Sequence, residues 1–180
     1  MNTIFRASIA GWAATAAVVA LSVGAGTAAA APDYATLAVN PNTVTDSTAY
    51  VPVAPTLNPD GQQGVTQLFN HRDGTRGITT KIEVLSSPQG ATDKVNAWRD
   101  GVGAVVTNPQ SSPVQVGADG TWVTGLSPNG SQSVGVLMFT RGNAAVDVQF
   151  NGPVADPVPA DLATQYGQDQ VAALDRQLGS

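Results

Sequence analysis

The chain has 180 residues, no cysteine, and 13 acidic against 8 basic side chains, for a formal charge of −5. Charged residues make up only 12%, and so sparse and acidic a surface argues against nucleic acid and anionic headgroups as partners. Without cysteine there is no disulfide framework, no thiolate metal site and no lipid attachment through a cysteine.

Met1 to Ala30 has one positive charge, Arg6, and no acid. An apolar run from Ile9 to Val23 follows, then the small-residue tail Gly24 to Ala30, which is the layout of a secretory signal peptide. The apolar run is too short to serve comfortably as a retained anchor. Cleavage is expected after Ala30. The 150 residues left carry a formal charge of −6 and are expected outside the cell or in its envelope, with no membrane span. That is a single-domain length able to bury roughly 68–70% of its unfolded surface.

Residues 31–64 contain Pro32, Pro41, Pro52, Pro55 and Pro59, which breaks up long regular elements. Asp33 can cap one helical turn. The segment reads as a strap, with Tyr34, Leu37, Val39, Val51 and Val53 favouring some packing, ahead of a domain spanning 65–180.

In that domain, Val65 to Phe69 and Ile78 to Leu85 read as a hairpin turned at Asp73-Gly74. Pro88-Gln89-Gly90 is expected to end it, and Thr92 to cap a helix. The stripe Val95, Trp98, Val102 and Val105 gives that helix its inward face, and Asn108-Pro109 closes it. Val114 to Gly117 reads as a short strand.

A meander follows: Thr121 to Leu126, Gln132 to Thr140, and Ala144 to Phe150. A three-residue loop, Pro128 to Gly130, places Trp122 opposite Val136 and Val123 opposite Gly135. The two-residue loop Gly142-Asn143 places Gly135 opposite Phe150, Leu137 opposite Val148 and Phe139 opposite Val146. One face is then Val123, Leu137, Phe139, Val146, Val148 and Phe150. The other is Trp122, Thr124, Val134, Val136, Met138, Asp147 and Gln149. Both are apolar enough to need a covering layer. A last helix, entered through Pro157, Pro159 and Asp161 and stopped at Gly179, supplies one layer with Ala163, Tyr166, Gly167, Gln170, Val171, Leu174 and Leu178. The expected architecture is α+β, an antiparallel sheet of about five to six strands with a helix packed on each face.

Several stretches carry a resemblance. Leu68-Phe69-Asn70, Arg72 to Thr75, Gly125 to Ser131, Val136 to Gly142, Asp156 to Asp161 and Gly167 to Gln170 resemble a group of exported mycobacterial proteins and lipoproteins. The resemblance runs from about Asn58 to the C-terminus and implies the PsbP/Mog1 fold, a sheet sandwiched by helices. It carries over no catalytic or binding residue. Lipid anchoring does not transfer, because no cysteine follows the signal sequence.

The chemistry available is narrow. His71, the sole histidine, sits in a hairpin loop with no G-x-S-x-G nucleophile turn to serve. One imidazole and scattered carboxylates do not build a metal site, and no cofactor motif is present. Paired carboxylates for glycoside hydrolysis reduce to Asp147 with Glu83 or Asp156. Ligand binding is the reading that remains, through Trp122, Val136, Met138, Asp147 and Gln149 as a small apolar groove with orienting polar groups. The expected function is that of an exported, non-enzymatic protein contacting an envelope lipid, glycan or protein, and the alternative is an envelope hydrolase.

Overall fold

In the computed structural model of the chain, residues 32–179 are described; the expected signal peptide, residues 1–30, lies outside them. In chain order the elements are α1 (Pro41–Val44), β1 (Tyr50–Pro52), β2 (Thr56–Leu57), β3 (Gly64–His71), β4 (Gly77–Val84), α2 (Pro88–Gly101), β5 (Thr107–Pro113), β6 (Ala118–Leu126), β7 (Ser133–Arg141), β8 (Ala144–Gly152) and α3 (Ala160–Leu178). The strands make one antiparallel sheet in the order β1-β3-β4-β8-β7-β6-β5, with β2 also on β3.

That is eight strands, against the five to six expected from sequence. Two of the extra strands come from the proline-rich segment. Tyr50–Pro52 pairs with Phe69–His71, and Thr56–Leu57 pairs with Val65–Thr66. Edge positions tolerate such short, proline-bounded pieces, because proline there leaves no ladder bond unmade. The rest of the segment is stitched to α3 by buried polar groups. Gln170, fully buried, donates to the Leu37 carbonyl at 2.7 Å and accepts from the Val39 amide at 2.9 Å. Tyr166 donates to the Val39 carbonyl at 2.7 Å. Leu37 itself is fully buried.

The central strand β7 is buried along almost its whole length, so each face carries its own core. On one side α3 sets Ala163, Tyr166 and Leu174 against Trp122, Leu137, Phe139, Val148 and Phe150. Gly167 lets the helix axis come close, since a Cβ there would stand 2.6 Å from Val116 Cγ1 and 2.7 Å from Leu137 Cδ2. On the other side α2 sets Ala91 and Val95 against Val123, Val134, Val136 and Met138.

Two local expectations are corrected. The α2 helix begins at Pro88, not after Thr92: Ser87 is the N-cap, its side chain accepting from the Gly90 amide at 3.1 Å, and Pro88 takes the first helical position. Residues 114–117 are a tight connection and the strand before them is Thr107–Pro113. The backbone of Gly117 is left-handed, with φ of 56°, which ends the alternation that Val114 and Val116 suggest.

Candidate ligand-binding site

The loop between β6 and β7 decides where the expected groove goes. Ser127 N donates to the Gln132 carbonyl at 3.0 Å, and the Ser127 hydroxyl accepts from Gln132 N at 3.0 Å. The Asn129 carboxamide oxygen accepts from Ser131 N at 3.1 Å inside the loop. The connection is thus one residue longer than the expected three, and β6 is displaced by one position. Trp122 lies opposite Leu137 and Val123 opposite Val136. A one-residue slip turns every side chain of a strand to the other face. The two-residue turn after β7 keeps the expected pairs, Gly135 with Phe150 and Leu137 with Val148.

Four of the five expected site residues therefore share the α2 face. Val136 pairs with Gln149 and Met138 with Asp147. Val136 and Met138 are 1% and 0% exposed, covered by α2. Trp122 is on the α3 face.

Beside Met138 on the α2 face lies a charged cluster. Glu83, 1% exposed, has its two oxygens 3.0 Å from Lys81 Nζ and 2.8 Å from Lys94 Nζ. These are ion contacts outside hydrogen-bond angles. Lys81 Nζ also meets the Asp60 carboxylate at 2.7 Å. The Trp98 ring, expected on the inward face of α2, is half-buried, with both ammoniums 5.6–5.7 Å from its centroid. Asp147 is paired across the sheet with Lys81. Burial pushes its carboxyl up to about 6, with Lys81 pulling the other way. Asp147 and Glu83 thus lie on neighbouring strands, while Asp156 is held elsewhere by Arg76. A carboxylate gripped by two ammoniums and closed off by a helix fixes α2 to the sheet and is badly placed to exchange protons with a substrate.

Open space occurs on the α3 face, where the β8–α3 loop crosses the sheet beyond the end of the helix. A cleft of about 540 Å³ has Trp122, Thr124, Leu126 and Ser133 on the sheet side and Val154 and Val158 on the loop side. Across Val158 is a small apolar cavity of about 30 Å³, lined by Val44, Ile78, Phe150, Leu162 and Tyr166 among others. A second cleft of about 300 Å³, with Tyr50, His71, Arg76 and Asp156 on its rim, opens above this cavity and shares Thr45, Tyr50, Val158 and Leu162 with it. Trp122, Phe150 and Tyr166 form an edge-to-face row at centroid spacings of 5.6 Å. His71 lies edge-on to Tyr50 with Nδ1 2.6 Å from the Asp73 carboxylate. Among the described residues no cluster of His, Cys, Asp and Glu is arranged to hold a metal ion.

No protein family model and no curated protein matches the chain. Among solved structures it is similar to the extracellular domain of PknH from Mycobacterium tuberculosis, with a TM-score of 0.56 and 13% identity over 78% of this chain and 93% of that one. The likeness is one of fold. No helix among the described residues is long and apolar enough to cross a membrane.

Of the site, sequence reasoning singled out Trp122 and missed its neighbours Leu126, Ser133, Val154 and Val158. One signal was available: Val154 and Val158 are apolar residues in a proline-rich connector, where nothing in the loop itself requires them.

Proposed function

We propose that this is an exported, non-enzymatic protein of the cell envelope that binds an amphipathic lipid or glycolipid on the α3 face of its sheet. The observation that carries the reading is the Trp122 cleft. Trp122, Leu126, Val154 and Val158 line it with apolar surface, Thr107, Asn108 and Thr124 bring polar groups to it, and Val154 is 48% exposed. Concave, mostly apolar sites with a few placed polar groups are the usual form of small-ligand sites. The fold is proposed to be of the PsbP/Mog1 kind, on the strength of a helix against each sheet face. The extracellular setting named for the PknH domain supports an exported mycobacterial origin. Hydrolysis by paired carboxylates is the weaker reading, because Glu83 is clamped by Lys81 and Lys94 and buried.

Purified protein incubated with cell-envelope extract, washed and analysed by mass spectrometry should retain a lipid. Val154→Glu places a charge at the exposed lip without touching the core and should lose it. Retention of nothing by the wild type, or equal retention by Val154→Glu, would refute the reading.

A further inference from the structure

The second cleft bears on the headgroup the protein would take, a question that rests on the binding reading above. Arg76 holds the β8–α3 loop at one residue, Asp156. One terminal guanidinium nitrogen donates to the Asp156 carbonyl at 3.0 Å, and the other pairs with the Asp156 carboxylate. Two residues on, Val158 forms part of the wall of the apolar cavity beside Ile78, Phe150 and Tyr166. One short stretch of chain thus offers a carboxylate to a cation and an aliphatic side chain to an apolar cavity.

We propose that Asp156–Val158 is a built-in stand-in for a fatty carboxylate. The ligand's carboxylate replaces that of Asp156 on Arg76, and its acyl chain lies along the cleft, with part of it taking the place that Val158 vacates beside the cavity. No covalent bond changes. The exchange conserves the ion pair, since one carboxylate succeeds another on a guanidinium suited to either. Asp156 loses little on release: its side chain is 72% exposed, against 22% for Arg76. The driving force is burial of the acyl chain, about 0.8 kcal/mol for each methylene removed from water. The 300 Å³ cleft adjoins the cavity, sharing Thr45, Tyr50, Val158 and Leu162 with it. The acidic balance of the chain disfavours anionic surfaces at large, but the rim of this cleft carries Arg76 and His71. It meets one charge, not a membrane.

Calorimetric titration with dodecanoate and with dodecanol separates headgroup from chain. Wild type is expected to bind dodecanoate, and Asp156→Asn, which removes the competing carboxylate, to bind it about tenfold more tightly. Arg76→Gln is expected to weaken dodecanoate about tenfold and leave dodecanol unchanged. Arg76→Lys, which keeps the charge, guards against a loss caused by misfolding and should retain part of the dodecanoate affinity. Equal dodecanoate affinity in wild type and Asp156→Asn, dodecanol binding as tightly as dodecanoate, or no dodecanoate binding would each overturn the proposal. If envelope lipid retention stayed sensitive to Val154→Glu in that case, only this inference would fall and the Trp122-cleft reading would stand.

Discussion

The indole of Trp122 occupies the space that a Cβ on Gly135 would need, and its other side meets Phe150 edge-on at a centroid distance of 5.6 Å. The ring is wedged over bare backbone, which fixes β6 on β7 in the register observed. Gly135→Ala is therefore expected to destabilise the fold by about 1–3 kcal/mol, the usual range for overpacking a closed core. Chemical denaturation measures the loss, and near-ultraviolet circular dichroism should report a displaced indole. A neutral Gly135→Ala would mean the ring has room to move.

The Glu83 cluster predicts non-additivity. Lys94→Met leaves a buried carboxylate with one ammonium, and should cost about 1–3 kcal/mol once the partial exposure of Lys94 is allowed for. Glu83→Gln in that background removes the stranded charge. The double variant should be more stable than the sum of the two single losses by on the order of 1 kcal/mol, as a double-mutant cycle would show.

Asp147 predicts a pH dependence. Its carboxyl is raised to about 6 by burial, above the unfolded value of about 3.9. The folded state thus holds this proton more tightly, and its contribution to stability grows as pH falls from about 6 to about 4. Asp73 works in the opposite sense. Hydrogen bonds from the Thr75 amide and hydroxyl hold its carboxyl down at about 2, so its contribution is lost as pH falls from about 4 to about 2. Denaturation midpoints should rise from pH 7 to pH 5. Asp147→Asn should flatten that rise and gain on the order of 1–2 kcal/mol at pH 8.

The start of α2 can be read by two alanine substitutions. Ser87→Ala removes the side-chain acceptor for the Gly90 amide and should cost about 1 kcal/mol. Thr92→Ala, at the position sequence alone suggests for the cap, removes only a bond back to the Pro88 carbonyl at 3.2 Å. It should be nearly neutral, or slightly favourable because alanine is the better helix former. Thermal melts of the two variants decide between the starts.

The meander, the helices α2 and α3 and the double-sided burial of β7 were legible in the residues, because hydrophobic periodicity and turn chemistry are local properties of a chain. Gly142-Asn143 set the β7–β8 register correctly, since a two-residue loop leaves one choice. The Pro128–Ser131 loop admitted two, a single residue apart. The choice between them rests on the side chains of Ser127 and Asn129 folding back onto the loop and on Trp122 covering Gly135. That contact crosses the hairpin between residues 13 positions apart, and the spacing of apolar residues does not announce it. The same holds for Asp156 on Arg76, 80 positions apart. Composition and local order determined which elements this protein has and which faces must be covered. Tertiary packing alone decided which side of the sheet Trp122 takes, and so where open space remains for a ligand, because a one-residue difference in loop length inverts a strand.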